Sequence, residues 1–224
     1  MDRNFGTVSR VSDATMVTNT VLRNTFILLG LSFVFSSLMG AWAISMHVGP
    51  MSPLLVLVGY LGLFFLTNAL RNSAAGILAV FALTGFLGFT AGPLVGMYLT
   101  AYSNGMQLVT TALGGTGVIF FGLATYAMTT RKDFSYLAGF LMVGMIVLML
   151  AVIANLFLTI PAFSLMVSAF IIMLMSGFIL FDLSLIINGG QRNYILATVS
   201  IFASLFNIFL NLLQLLAAFA GNRD

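Results

Sequence analysis

The sequence predicts an all-α integral membrane protein with seven transmembrane helices. Of its 224 residues, 61% are hydrophobic and only 6% are charged, whereas soluble domains carry about 25% charged residues. The mean hydropathy of +1.14 means more apolar surface than a soluble protein of this size could bury. The apolar residues also form seven long runs, and a run of about 20 residues crosses the roughly 30 Å hydrocarbon core of a bilayer.

Short polar or charged segments separate the seven apolar runs. We expect residues 1–23 to be a flexible tail, 24–220 the seven-helix transmembrane domain, and 221–224 a short C-terminal tail. The third run is interrupted by Gly92-Pro93, which is expected to kink its helix. The predicted spans are about 24–46, 53–70, 75–101, 107–129, 134–159, 162–187 and 193–220.

Basic residues lie almost entirely in alternate loops, and this predicts the orientation of the chain. Seven of the eight basic residues precede the first span or separate spans two and three, four and five, or six and seven. These residues are Arg3, Arg10, Arg23, Arg71, Arg131, Lys132 and Arg192. The positive-inside rule assigns that side to the cytoplasm. The N-terminus is therefore predicted to be cytoplasmic, and the C-terminus lies on the opposite side.

Segments rich in small residues indicate where helices approach one another. Span three carries Gly85, Gly88, Gly92 and Gly96, the last three at steps of four, and span four opens with Gly114-Gly115-Thr116-Gly117. In lipid, small residues in such segments let helix backbones pack closely. Close helix packing is therefore predicted along both segments, and the alternative is a glycine-lined pore.

The seventh span carries an unusual row of polar side chains, called the polar stripe below. Its members recur at steps of four, three, four and three residues: Ser200, Ser204, Asn207, Asn211 and Gln214. This spacing places all five on one face of a helix. Because unsatisfied amides are costly in hydrocarbon, the stripe must face protein or water, and this helix is predicted to run through the bundle interior. The stripe would supply hydrogen bonds between helices or the polar wall of an ion or proton path.

Asp182 is the only charged side chain within a predicted span. Insertion scales give a cost of about 2.5–3.5 kcal/mol for placing a carboxylate at the centre of a membrane helix. A residue kept at that cost marks a candidate functional site, and we expect it to face the polar stripe. It is a candidate pH sensor, or part of an ion path with Ser204, Asn207, Asn211 and Gln214.

The composition argues against enzymatic activity, metal binding and cofactors. Cysteine is absent and His47 is the single histidine, which leaves no cysteine nucleophile, disulfide or multi-histidine metal cage. An intramembrane aspartyl protease needs two aspartates, and the spans contain one. A serine protease needs a base near its serine, but His47 is predicted at the interface opposite to Asp182. The modest net charge of +3 is interpreted as topology information and not as a nucleic-acid-binding surface.

Three segments carry a resemblance to the Bax inhibitor-1 family. They are Ala112-Leu-Gly-Gly-Thr-Gly117 through Thr129-Thr-Arg-Lys-Asp133-Phe134, Gly177-Phe-Ile-Leu-Phe-Asp182 with Ile186-Ile-Asn-Gly-Gly190, and Asn193-Tyr-Ile-Leu-Ala-Thr198 followed by Ser204-Leu-Phe-Asn207. The entry to span one, Leu22-Arg-Asn-Thr25, is similar to the bacterial YccA-type branch of that family. Each segment is weak alone, but their order and spacing together make the resemblance specific.

The resemblance implies a fold and two kinds of function. Family members have seven helices, the last surrounded by the other six. Some are proposed pH-sensitive calcium leak channels gated by two aspartates; Asp182 matches the first, and Ser204 stands at the second, so half of that gate is missing. The YccA-type branch is associated with modulating FtsH, a membrane-anchored AAA protease. The resemblance therefore implies a bacterial inner-membrane protein that binds and modulates the FtsH complex; the alternative is a calcium or proton leak channel.

The polar parts outside the membrane suit a protein partner. Residues 1–23 show no convincing helical periodicity and would offer a handle to a pulling ATPase, or form an ordinary floppy terminus. Arg131, Lys132, Asp133 and Arg192 form a candidate cytoplasmic anchor or docking surface. In the alternative interpretation the basic pair anchors a helix end and Asp133 caps span five.

Overall fold

The computed structural model describes residues 5–158 and 160–220, with side chains from residue 18 onward; the predicted C-terminal tail, 221–224, lies outside the described residues. Seven helices follow one another along the chain. They are α1 (Phe5–Ser45), α2 (Pro53–Leu70), α3 (Ala75–Ala101), α4 (Gly105–Thr130), α5 (Leu137–Leu158), α6 (Pro161–Ile187) and α7 (Tyr194–Ala220). All seven are long and apolar enough to cross a membrane. The chain is therefore an all-α, multi-pass membrane protein, as predicted.

The ends of the helices follow from the residues found there. Ser52 caps α2, because its side-chain oxygen accepts a 3.4 Å hydrogen bond from the Leu55 N–H, and Pro53 suits the first helical position. α4 ends at Arg131, whose φ of 48° is left-handed and whose N–H donates to the Ala127 carbonyl. The observed limits of helices α2 to α7 agree with the predicted spans to within three residues at each end.

The first helix differs most from expectation. α1 begins at Phe5 and not near residue 24, so the backbone of 5–23 is helical where a flexible tail is predicted. Adding a residue to an existing helix is much easier than starting one. The apolar part of α1, Thr18–Ser45, can therefore continue toward the N-terminus through residues that show no apolar periodicity of their own. The division of the chain into tail and domain stays a prediction. α3 continues as one helix through Pro93 and keeps the predicted limits of the third span; the kink expected at Gly92-Pro93 stays a prediction.

α7 forms the core of the bundle. It contacts α1, α2, α3, α4 and α6, and its side chains of Phe202, Ile208 and Leu213 are fully buried. The interior position predicted for the last helix is confirmed. α5 is the exception, because within the described residues it contacts α6 alone. Five helices, and not the six implied by the resemblance, therefore surround α7.

The closest approach between helices lies between α1 and α3. A Cβ atom added at Gly88 would overlap the backbone carbonyl oxygen of Ser36, which shows that the two backbones are in contact there. The packing role predicted for the glycines of span three is confirmed at this position. In α4 the same prediction is wrong for Gly114 and Gly117, since a Cβ added at either would meet no atom within 4 Å.

Candidate functional site

Asp182 and Ser200 form a polar pair between α6 and α7. Asp182 is half-buried and lies five residues before the end of α6 at Ile187. The Ser200 hydroxyl, on α7, donates a hydrogen bond of 2.5 Å to Asp182 Oδ2. The prediction that Asp182 faces the polar stripe is confirmed at the first member of the stripe.

The remainder of the polar stripe is bonded within its own helix. Asn207 Nδ2 donates to the Ala203 carbonyl, and Asn211 Nδ2 donates to the Asn207 carbonyl, each at 2.8 Å. The interpretation of the stripe as hydrogen bonds between helices is therefore wrong for these two amides. Each amide satisfies one of its donors on the backbone four residues earlier, as short polar side chains often do in helices.

Only one end of the polar stripe reaches Asp182. Ser204 is buried one turn beyond Ser200, and Asp182 is bonded to Ser200 and not to Ser204. Gln214 lies fourteen residues beyond Ser200, which is about 21 Å along the helix at a rise of 1.5 Å per residue. The stripe and Asp182 therefore form a line of polar groups and not a single cluster.

A second polar junction joins the loop between α4 and α5 to the end of α6. The Ser184 hydroxyl oxygen accepts a 2.8 Å hydrogen bond from the Phe134 N–H, and the hydroxyl donates to the Lys132 carbonyl at 3.2 Å. Asn188 Nδ2 donates to the Ser184 hydroxyl oxygen at 3.2 Å. Ser184 and Phe134 are both buried. The charged loop is therefore held by the same helix that carries Asp182.

Asp133 organises this loop and does not cap α5. Its Oδ1 atom accepts a 2.9 Å hydrogen bond from the backbone N–H of Ser135, and α5 begins only at Leu137. The prediction that Asp133 caps span five is therefore wrong; the carboxylate closes a turn before the helix. The backbone N–H of Ser135, and then its side chain, hold the pKa of Asp133 below its usual value.

The other predicted docking residues are exposed near the same end of the bundle. Arg131 and Lys132 follow α4, and Arg192 lies in the turn between α6 and α7, where its Nε atom donates to the Gly189 carbonyl at 3.4 Å. Their docking role stays a prediction.

Asn193 connects the start of α7 to the loop between α2 and α3. Its Oδ1 atom accepts hydrogen bonds from the N–H groups of Ile195 and Leu196, at 3.0 and 3.2 Å. Its Nδ2 atom donates to the Arg71 carbonyl at 2.9 Å and to Asn72 Oδ1 at 3.0 Å. One amide thus caps the central helix and fixes a neighbouring loop.

Several polar residues of the interior were absent from the predicted site. Asn193 precedes an apolar run, and this position alone is a signal for a helix cap. Ser184 carries no comparable signal, because a single serine in an apolar helix is common. The hydroxyls of Thr25 and Ser32 on α1 are buried without a hydrogen-bond partner among the described residues.

Comparisons with known proteins cover this whole bundle. Residues 18–221 match a family model described as inhibitor of apoptosis-promoting Bax1. The chain is 46% identical over 202 residues to an uncharacterised protein of Pseudomonas aeruginosa, covering 90% of each chain. It is 45% identical over 211 residues to the Escherichia coli K12 protein named modulator of FtsH protease YccA, covering 93% of this chain and 95% of that one. The same figures apply to a protein of Escherichia coli O6:H1 named inner membrane protein YccA.

Proposed function

The chain belongs to the Bax inhibitor-1 family, and from this membership we propose that it binds and modulates an FtsH-type membrane AAA protease. The observation that carries the proposal is the 45% identity, over 93% of the chain, to a protein named as a modulator of that protease. The role is that of a binding protein and not of an enzyme. We place the protein in the bacterial inner membrane, with its N-terminus in the cytoplasm and its C-terminus in the periplasm.

The end of the bundle that carries the basic loops supports this role. Arg131, Lys132 and Arg192 are exposed there, while Ser184 and Asn193 fasten the loops to α6 and α7. A rigid, charged surface of this kind is suited to docking a soluble protease domain beside the membrane. The α1 backbone continues to Phe5 on the same side, and we propose that this extension is the handle the ATPase engages.

The interaction is tested by co-purification from membranes. The full chain, tagged at its C-terminus, is isolated in mild detergent from cells that lack their own YccA-type protein. We expect FtsH to be enriched relative to a tagged seven-helix protein of another family. Deleting residues 2–20 is expected to change the lifetime of an FtsH substrate, whereas deleting 221–224 serves as the matched control. Absence of enrichment, together with unchanged substrate lifetimes, would exclude the proposal.

A leak path is the second candidate function, and the Asp182–Ser200 pair favours it. A carboxylate that accepts a 2.5 Å hydrogen bond from the next helix can exchange a proton between water and the bundle interior. The remaining members of the polar stripe would extend this path along α7. The test is flux of Ca²⁺ or H⁺ into proteoliposomes, followed with an enclosed dye. We expect Asp182→Asn to abolish its pH dependence, and an unchanged flux would eliminate this candidate.

A further inference from the structure

An apolar cleft separates α1 from α4 within the membrane-spanning part of the bundle. Its volume is about 850 Å³, and α3 and α7 form its floor. α1 and α4 both pack against α3 and α7, but among the described residues their backbones do not approach each other. Among the side chains described, one aromatic pair joins them, the edge-to-face contact of Phe26 and Phe120 with ring centroids 5.7 Å apart. The cleft therefore lies between two helices that border the lipid.

The dimensions of the cleft decide what fits inside it. On α1 its lining runs from Phe26 to Ile44, and these eighteen steps span about 27 Å, close to the thickness of the hydrocarbon core. The cleft is long and apolar and runs between two helices that border the lipid, so it suits a hydrocarbon chain of the surrounding bilayer.

Two glycines keep the cleft open. Gly30 on α1 and Gly117 on α4 both line it, and a Cβ added at either would meet no atom within 4 Å. Most of the other lining is aliphatic and aromatic, including Leu29, Phe33 and Phe206. Water is unfavourable in an apolar cavity, so an apolar chain from the surrounding bilayer is the natural occupant.

Two arginines lie at the end of the cleft where the lipid headgroup would be. Arg23 precedes Phe26 by three residues, and Arg131 follows Met128, another lining residue, by the same interval. The spacing of three within α1 places Arg23 on the helix face of Phe26, whereas Arg131 is the left-handed residue that directly follows α4. Both arginines are exposed, and no carboxylate of residues 18–158 or 160–220 pairs with them. Basic residues between helices at the cytoplasmic surface bind anionic headgroups.

We propose that the cleft between α1 and α4 is a binding site for an anionic glycerophospholipid, with an acyl chain between Gly30 and Gly117 and the phosphate held by Arg23 and Arg131. The lipid would belong to the leaflet on the side of the basic loops. Its chain would fill space that the packing of α1 and α4 leaves open. This site is separate from the Asp182–Ser200 pair, which does not line the cleft.

Native mass spectrometry of the purified full chain tests this site. The protein is titrated in detergent with dioleoyl phosphatidylglycerol or with dioleoyl phosphatidylcholine, which share acyl chains and differ in charge. We expect tighter binding of the anionic lipid. The double variant Arg23→Gln/Arg131→Gln is expected to weaken that binding about 30-fold, or about fivefold for each arginine. The matched control Arg71→Gln/Arg192→Gln removes two charges from the same side and should retain it.

Filling the cleft tests the position of the acyl chain. Gly117→Phe is expected to weaken phosphatidylglycerol binding about tenfold, because the new ring displaces about two methylenes. Gly139→Phe on α5 is the control, since Gly139 also faces open space but does not line the cleft. If Gly117→Phe does not fold, Gly30→Leu provides the same test from the α1 side.

Three results would overturn the proposal. The first is equal binding of the two lipids, with no loss in the Arg23→Gln/Arg131→Gln variant. The second is unchanged lipid binding in the folded cleft-filling variants. The third is a cleft-filling variant that keeps its lipid but no longer co-purifies with the protease, which would make the cleft a docking surface for a protein helix.

Discussion

The hydroxyl of Ser200 on α7 donates a 2.5 Å hydrogen bond to the carboxylate of Asp182 on α6. The pair connects the central helix of the bundle to the helix that also holds the loop of Lys132 through Ser184. A charged group inside a membrane bundle is costly unless it is bonded. Asp182 therefore has a structural partner whether or not it conducts ions, and the two roles are separable by experiment.

Removing the donor of this pair is expected to destabilise the bundle. Ser200→Ala leaves the half-buried Asp182 side chain without its bond from α7, which should cost about 1–3 kcal/mol, the usual cost of leaving a buried polar group without its partner. Thermal unfolding of the purified protein in detergent measures the loss. Ser176→Ala is the control, since the Ser176 hydroxyl donates to the Ile172 carbonyl of its own helix. Equal stability of the two variants would show that the pair contributes nothing to the fold.

One methyl group added where α1 contacts α3 is expected to destabilise the protein. Gly88→Ala places a Cβ against the backbone carbonyl of Ser36, and overpacking of this kind typically costs about 1–3 kcal/mol. Gly114→Ala adds the same methyl group to α4 in open space. It should be neutral or slightly stabilising, because alanine favours a helix over glycine by about 1 kcal/mol. Thermal unfolding distinguishes the two variants. A destabilised Gly114→Ala variant would contradict the assignment of Gly114 to open space.

The lengths of the apolar runs predicted the helices well, because the thickness of a bilayer constrains the length of each span. The ends of α2 and α3 match the predicted limits at both termini. The extension of α1 to Phe5 was not predicted, since a helix that is already formed can continue through residues without apolar periodicity. The peripheral place of α5 was also not predictable, because a helix that faces lipid is as apolar as one that faces protein.

The charged residue of the candidate site could be predicted from the sequence, but the hydrogen bonds of the site could not. Asp182 was identified because a carboxylate in an apolar run is rare. The polar stripe predicted which face of α7 is turned inward, but spacing alone does not show whether Asn207 bonds to another helix or to Ala203 on its own. The anchor at Ser184 depends on a residue fifty positions away, Phe134, and such a pairing leaves no local pattern.

Ser184 is predicted to control the order of the charged loop. Ser184→Ala removes the acceptor of the buried Phe134 N–H, and an unsatisfied buried donor costs about 1–3 kcal/mol. We expect faster hydrogen exchange at Phe134 and its neighbours, and faster tryptic cleavage after Lys132. Ser135→Ala changes the loop but leaves the Phe134 bond in place, so it serves as the control. If the loop docks the protease, the Ser184 variant should also reduce co-purification.

Two substitutions of Asn193 are expected to separate its two roles, which are to cap α7 and to anchor the loop between α2 and α3. Asn193→Ala removes both the acceptor of the Ile195 and Leu196 N–H groups and the donor to Arg71. A lost N-cap costs about 1 kcal/mol, and the released loop adds to this loss. Asn193→Asp keeps the capping oxygen and lacks the donor, so its stability in thermal unfolding should lie between the wild type and the alanine variant. An aspartate variant as unstable as the alanine variant would mean that the contact with Arg71 and not the cap accounts for the effect.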